Sequence, residues 1–579
     1  MTLPINSTDF SSSMRIGVDL DNTLLKYDRA FLAAAAQLNL VLPNEVKTKQ
    51  QIRSFARSKP DGELLWQRLQ GLAYGVCIVD HADLFPGVKR FLWRCQQRAH
   101  QVIVVSHKTE YGHFDSSRTP LRVAARDCLK KHGLLAAQSP FLHQLFFEST
   151  RTEKLHRIRT LNLDVFIDDL PEVLEGLKEL ALTKILFSPN LQFSEDADLR
   201  QSAVTITSTW QAVDSQINGH WTQSDIVNLS KRFTNQRVEA VYPLKQGGNA
   251  GVYRVDLSTD DKARVGSDSS CVVGDGTTVK LKVYPIDPNH DRIRSEFFGI
   301  SNLLKQGMHH LPKPIYVNSD LGIGVYEWID GYPLNETDLD HIHLCLTFID
   351  QLHGNRQDKS WKQFPLASAA CLSGVDITNQ ISVRLEQFRI SRTNHSELDN
   401  FFKHSFEPLL GEITAWVKQN WLKSGAAFDK ALPRDKQTLS PSDFGFHNMI
   451  QSQAETITFI DFEYFGWDDP TKLISDFVFH PGMRLSELQK QIWMKGCLKI
   501  YGEHIVPRLQ VTLPLYGLIW CLILLNDYRP EIWHRRLLAD SSKADEKAHI
   551  LQIQLGKAIA LLKDLRLGYR QLVSDHLGL

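Results

Sequence analysis

Between Met14 and about Thr207, four short apolar runs alternate with amphipathic stretches such as Leu121–Lys131 and Glu153–Thr160. The runs are Ile16–Leu20, Val102–Val105, Val165–Ile167 and Ile185–Phe187. Each is long enough for a strand buried on both faces, and helical crossovers between such strands require a parallel sheet. The alternation therefore predicts a doubly wound α/β domain over residues 14–215. A mostly helical insert from Asp28 to about Asp83 separates the first two runs, and Phe85-Pro86-Gly87 closes it. An insert of that size should form a cap of its own, about residues 28–84.

From about Val238 the pattern changes. Ala240–Leu244, Val252–Val255, Val272–Tyr284 and Gly324–Ile329 read as antiparallel strands, interrupted by a helix at Arg292–Gln306. Beyond Gly331 the chain reads as mainly helical, apart from a short β-like element at Thr456–Asp461. This is a two-lobed α+β design over residues 225–579, with a small lobe at 225–330 and a large one at 331–579. The join falls near residues 210–230, where no Pro/Gly-rich linker marks it.

Charge narrows the partners. Lys+Arg and Asp+Glu both total 66, so the net charge is zero and leaves no footprint of nucleic acid or an anionic membrane. The eight cysteines are scattered, without CxxC or zinc spacing, as expected of reduced thiols in a cytoplasmic protein. The opening residues lack the basic and apolar regions of a signal peptide. Leu513–Leu525 is too short to cross a bilayer and contains Pro514 and Gly517, so a buried helix is expected there. The sequence contains no internal repeat and leaves the oligomeric state open.

In the first domain, Asp19 and Asp21 lie two apart at the C-terminal end of the first apolar run, where open α/β sheets bind ligands. A regular strand would put both on one face; a turn after Asp19 would aim them at one phosphate from different sides. A buried carboxylate pair needs a cation or hydrogen bonds to offset it. A lone DxD is usually a solvated turn, but three further features follow in order. Ser106 ends a strand, Lys154 lies on the next helical stretch, and Asp168-Asp169 ends another strand.

This set resembles the haloacid dehalogenase-like superfamily over about the first 210 residues. The resemblance implies Asp19 as a nucleophile that forms an aspartyl-phosphate, and Asp21 as the general acid and then base. Ser106 and Lys154 would hold the phosphoryl oxygens. Mg²⁺ would lie on Asp19, the Asp21 carbonyl and Asp168, with Asp169 beside it. The acid at position 21 implies phosphatase or phosphomutase chemistry, with the insert selecting the substrate.

In the second domain, Gln246-Gly247-Gly248-Asn249-Ala250-Gly251 lies between two strand-like runs. It is either a plain hairpin turn or a lid over nucleotide phosphates, with Gly247, Gly248, Asn249 and Gly251 available to them. Alternation puts Lys280 and Lys282 on one strand face, and Lys282, followed by Val-Tyr-Pro, is the favoured phosphate ligand. Glu296 in the next helix is placed to pair with it. Backbone groups near Glu327 to Ile329 are available to an adenine. The most specific string is Asp443-Phe444-Gly445-Phe446-His447-Asn448, followed by a strand ending in Asp461. Phosphoryl transfer needs this spacing: Asp443 orients and deprotonates an acceptor hydroxyl, while Asn448 and Asp461 hold Mg²⁺ on the nucleotide.

With Gly466-Trp467-Asp468-Asp469-Pro470 after it, the string resembles the aminoglycoside phosphotransferase and choline kinase-like family, from about 225 to 579. That implies a protein-kinase-like fold, ATP as donor and a small hydroxyl-bearing acceptor. It also implies that Asp476 buttresses the catalytic loop. Pro441 stands where the family usually has His. The HRD and APE signatures of protein kinases are absent. Two readings follow. One is a bifunctional phosphatase and small-molecule kinase, whose two sites a sugar or sugar phosphate would suit because it offers several distinguishable hydroxyls; the other is a chain in which one module only binds and regulates.

Overall fold

Six parallel strands build the sheet of the N-terminal unit in a computed structural model of the chain. The structure describes residues 13–112, 118–136, 140–189, 204–244, 250–258, 278–287, 290–334, 338–539 and 546–577. By internal contacts the chain divides into two units, residues 1–231 with 318–322, and 232–317 with 323–579. The division falls later than the expected 215–225. Buried Arg94 pairs with Asp214 and, at 3.5 Å, with Asp225, which ties both helices of this stretch to the first unit.

In the first unit β1 (Arg15–Val18) is followed by the short β2 (Leu25–Lys26) and four helices, α1 (Asp28–Gln37), α2 (Lys49–Arg57), α3 (Gly62–Tyr74) and α4 (Ile78–His81). Then come β3 (Asp83–Leu84), α5 (Val88–Gln97), β4 (Gln101–His107), α6 (Leu121–Lys131), β5 (Gln144–Glu148), α7 (Arg151–Thr160) and β6 (Val165–Asp168). The unit ends with α8 (Pro171–Glu175), β7 (Thr183–Phe187), β8 (Val204–Thr207), α9 (Trp210–Asn218) and α10 (Gln223–Ser230). The sheet order is β5-β4-β1-β6-β7-β8. The order reverses at β1, so the C-terminal ends of β4, β1 and β6 form the switch-point crevice.

The helical insert leaves the sheet through a two-stranded stalk, in which Leu25 pairs with Leu84 and Lys26 with Asp83. Phe31, Ile52, Trp66 and Leu69 bury its interior. Two strands of this sheet were not expected from the sequence. β5 is only half-buried, and β8 has two exposed residues, so neither shows the continuous apolar run of a central strand. The first strand is also shorter than Ile16–Leu20: the ladder ends at Val18, and Asp19 starts the turn.

In the second unit β9 (Val238–Pro243), β10 (Gly251–Leu257), β11 (Thr278–Val283), β12 (Pro314–Asn318) and β13 (Ile323–Glu327) form a sheet of order β12-β13-β11-β10-β9. The long run expected from Val272 is a strand from Thr278; its earlier part lies outside the described residues. The helix expected at Arg292–Gln306 is in two parts, a π turn at Arg294–Phe298 and α11 (Gly299–Lys305).

Beyond Gly331 helices dominate, but β14 (Tyr332–Pro333), β15 (Thr438–Ser440), β16 (Met449–Gln451), β17 (Ile457–Phe459) and β18 (Gly466–Asp468) are more strand than the sequence suggested. They are two or three residues each, too short for a periodicity signal. The apolar segment is the helix Val506–Leu524, with Pro514 inside it. Residues 503–528 are long and apolar enough to cross a membrane by composition, yet 83% of an apolar 18-residue window within them is buried inside the protein.

Candidate functional site

Each unit carries a lysine held between two acids. In the first, the capping box of Thr150 and Glu153 fixes the start of α7, and Lys154 then points at the crevice. Its ammonium donates to Asp19 Oδ1 and to Asp168 Oδ2, both at 2.6 Å. The Asp19 backbone N–H still donates to the Ile167 carbonyl, which sets the two acids on neighbouring strand ends. The β1 ladder ends at Val18, and Asn22, with a left-handed φ of 61°, turns the chain just after Asp21.

The two carboxylates have different partners. Asp21 is held by Lys108, whose Nζ donates to Oδ2 at 2.9 Å, and by the Tyr27 hydroxyl on Oδ1. Its side chain is thus engaged by a cation and a hydroxyl, and its backbone carbonyl is the group the resemblance gives to a metal. Ser106, near the end of β4, is buried, and its Oγ has no hydrogen-bond partner. A buried hydroxyl without a partner calls for a ligand oxygen.

A divalent cation fits this crevice. Carboxylate oxygens of Asp19, Asp168 and Asp169 lie within 4.8 Å of one another, with a single direct ammonium among them. Burial, reinforced by neighbouring carboxylates, lifts Asp19 well above the usual carboxylate range. Burial first, then Asp168, pushes Asp169 up to about 7. These acids would hold Mg²⁺, and the cation would relieve their repulsion.

In the second unit Lys282 donates to Glu296 Oε2 at 2.6 Å and to Asp461 Oδ1 at 2.7 Å. The Tyr284 hydroxyl also reaches Glu296 Oε2, at 2.7 Å. Lys280 lies on the same strand, and burial, then Lys282, lowers its pKa. Asp461 has a φ of 68° and leaves β17 towards the lysine. Asn448 Nδ2 donates to the Asp443 carbonyl at 2.9 Å, and the Ile460 N–H donates to the Asn448 carbonyl at 2.9 Å. The Asp443 loop and the Asp461 strand end are thereby tied together. Beside them Glu463 Oε1 pairs with Arg292, while buried Glu463 Oε2 has no partner. An orphaned carboxylate oxygen next to Asp461 suits a cation held by Asp461 and Asn448.

The nucleotide-side expectations divide. Gly247, Gly248 and Asn249 lie outside the described residues, while Gly251 begins β10. The Glu327 N–H is not available to an adenine. It donates to the Lys313 carbonyl at 2.9 Å, because the strand ladder continues to that residue, and the Glu327 carboxylate accepts the Lys313 N–H. Ile329, just past β13, is half-buried.

Asp443 gains two partners that sequence reasoning missed. His447 Nε2 lies 2.9 Å from Asp443 Oδ1, and the His447 ring stacks on His480 at 3.9 Å between centroids. The spacing Asp-x3-His was visible in the sequence; His480, at the end of the helix Pro470–Phe479, was not. A metal on this trio would have to displace an existing hydrogen bond. His480 Nδ1 accepts the Gly482 N–H at 3.1 Å, so the neutral ring carries its proton on Nε2, the atom facing Asp443. Burial, then His447, lowers His480 to about 4 and keeps it neutral. Against burial, the His447 hydrogen bond holds Asp443 below its ordinary value.

Asp476 reaches this loop only indirectly. It pairs with Lys472 and accepts the Trp520 indole N–H, and the Trp520 ring meets His480 edge-on. Asp469 is the N-cap of the helix Pro470–Phe479 and is held by Arg508 at 2.6 Å. In this structure its role is architectural.

No family model matches the chain. A protein of Oceanobacillus iheyensis, provisionally named a nucleotidase, is 22% identical over 179 residues, covering 30% of this chain and 85% of the relative. A spectinomycin phosphotransferase solved with ADP and spectinomycin is 15% identical with a TM-score of 0.38, covering 59% of this chain and 98% of its own. A choline kinase of Cryptosporidium parvum Iowa II is 15% identical with a TM-score of 0.38, covering 57% and 99%. Scores this low carry no argument about fold or activity.

Proposed function

We propose that the chain is a bifunctional enzyme, an Mg²⁺-dependent phosphatase in its first unit and an ATP-dependent small-molecule kinase in its second. The observation that supports the first half most directly is Lys154 between Asp19 and Asp168, with Asp21 held apart by Lys108 and Tyr27. Asp19 attacks the phosphorus of a phosphate monoester; the Asp19 O–P bond forms as the P–O bond to the alcohol breaks. Asp21 gives its proton to the departing alcohol oxygen, then takes one from the water that attacks the aspartyl-phosphate. Lys154 and Ser106 hold the phosphoryl oxygens, and a bound Mg²⁺ would supply charge neutralisation beside them.

The second half is supported by Lys282 bridging Glu296 and Asp461 beside the Asp443–Asn448 loop. Asp443 orients an acceptor hydroxyl and receives its proton as the γ-phosphoryl group transfers from ATP. Lys282 holds the donor's phosphates, with Asn448 and Asp461 to hold its Mg²⁺. The lowered pKa of Asp443 suits an orienting more than a strongly basic role in a loose transition state. If both units served the same hydroxyl the sum would be ATP hydrolysis, so they act on different positions or on successive intermediates. A sugar phosphate would offer such positions.

The test is a metabolite screen with Mg·ATP on wild type, Asp19→Asn and Asp443→Asn. Phosphorylation should survive Asp19→Asn, and phosphatase turnover should survive Asp443→Asn. Loss of both activities in either single variant would refute two independent sites. An intact wild type that turns over no ester and no acceptor would favour a binding role.

A further inference from the structure

Two ammonium groups converge on the ring of Tyr74, at the end of α3. Lys108 Nζ lies 5.0 Å from its centroid and Lys49 Nζ 5.5 Å. They come from different parts of the unit, Lys108 from just past β4 and Lys49 from the first turn of α2 in the insert. Lys49 is set in place by the capping box of Thr48 and Gln51, and its own N–H donates to Asp28.

Their direct partners are few. Lys108 is 4% exposed and its hydrogen-bonded acid is Asp21. Lys49 donates to Asn22 Oδ1 and to the Tyr74 hydroxyl, both at 2.9 Å and both uncharged. An ammonium has three N–H donors, so one on Lys49 and two on Lys108 remain for other acceptors. Burial pulls the Lys49 pKa down, but Tyr74, Asp21 and Asp169 outweigh it, and the group stays charged.

The two ammonium groups have one hydrogen-bonded carboxylate between them, Asp21, and their unused donors call for a further acceptor. Under the phosphatase reading that acceptor lies on the substrate, because the ester oxygen that Asp21 serves brings the alcohol portion of the substrate beside both lysines.

We propose that Lys49 and Lys108 receive an acidic group on the alcohol portion of the substrate, so that the first unit prefers phosphate monoesters bearing a carboxylate or a second phosphate. The proposal rests on the phosphatase reading and adds a substrate class to it. Lys49, carried by the insert, is the specificity-determining residue; Lys108 also holds Asp21.

The experiment measures kcat/KM of the full chain with Mg²⁺ on 3-phosphoglycerate, fructose 1,6-bisphosphate and glycerol 2-phosphate, for wild type, Lys49→Met and Lys49→Arg. At least one acidic ester should exceed glycerol 2-phosphate by tenfold or more in wild type; which one does separates a carboxylate from a phosphate partner. Lys49→Met should lower that ratio about tenfold, mainly through KM, and Lys49→Arg should restore most of it. Equal kcat/KM on all three esters in wild type would overturn the proposal without any variant. So would a Lys49→Met that lowers all three alike. Both outcomes leave the phosphatase reading standing. Hydrolysis of no phosphate ester at all would instead remove that reading, and the proposal with it.

Discussion

Glu296 meets the Lys282 ammonium at 2.6 Å from within a π turn, Arg294–Phe298, and not from a regular helix. Such a turn widens the helix by one residue and re-aims the side chains it carries. Lys282 keeps Asp461 as its second partner if Glu296 is neutralised, but it loses the contact that fixes its direction. Glu296→Gln should therefore lower ATP-dependent phosphorylation on the order of 100-fold, since small misplacements of a positioning group carry losses of that size. Phosphatase turnover of the same variant should stay within about twofold of wild type. Steady-state assays of both activities check this.

Magnesium binding should release protons near neutral pH. Asp169, at about 7 by burial and the neighbouring Asp168, must ionise to hold the cation. Calorimetric Mg²⁺ titrations in buffers of different ionisation enthalpy should show that release, and Asp169→Asn should remove most of it. The stability consequence has a definite sign. A carboxyl raised from 3.8 to about 7 on folding weakens the fold as pH rises through about 7. With chelator the unfolding midpoint should fall between about pH 4 and 7, and Mg²⁺ should flatten that fall.

His480 gives the opposite dependence. Its folded value of about 4 lies below the ordinary 6.5, so the unfolded chain binds the proton more readily. The contribution is complete above about pH 6.5 and is lost as pH falls towards 4, by up to about 3 kcal/mol. The groups facing the ring are His447, Asp443 and Trp520. Wild type should lose stability more steeply than His480→Gln on acidification, measured by chemical denaturation at a series of pH values.

The buried pair of Arg508 and Asp469, with side chains 5% and 0% exposed, supports the helix that ends at His480. Asp469→Ala would leave a buried guanidinium without its acid and should destabilise the second unit by about 3–5 kcal/mol. The double variant Asp469→Asn with Arg508→Met should recover much of that loss. Denaturant unfolding of the three proteins decides it.

The central strands were readable because Ile16–Val18, Val102–Val105 and Val165–Ile167 are apolar on both faces. The edge strands at Gln144–Glu148 and Val204–Thr207 were not, since partial exposure dilutes that signal. Residues whose contacts are made near a strand end, such as Asp19 and Asp168, could be placed from order alone. The contacts of Asp21 could not. Lys108 and Tyr27 reach it from just past β4 and just past β2, positions that nothing in the Asp19–Asn22 string announces. Likewise nothing in the string around Asp443 announces His480, which arrives from the end of another helix. The Asp468-Asp469 signature was legible as a motif, but its work in this structure is to cap a helix.

The two-residue ribbons at Leu25–Lys26 and Asp83–Leu84 are the only covalent crossings between sheet and insert. Asp19, Ser106, Lys154, Asp168 and Asp169 all lie on the sheet side of that neck, and Lys49 and Tyr74 on the other. Under the proposed phosphatase reading, reaction chemistry and partner choice therefore lie on separable segments. Exchanging residues 28–82 should then change which phosphate ester is cleaved and leave the cleaving residues in place.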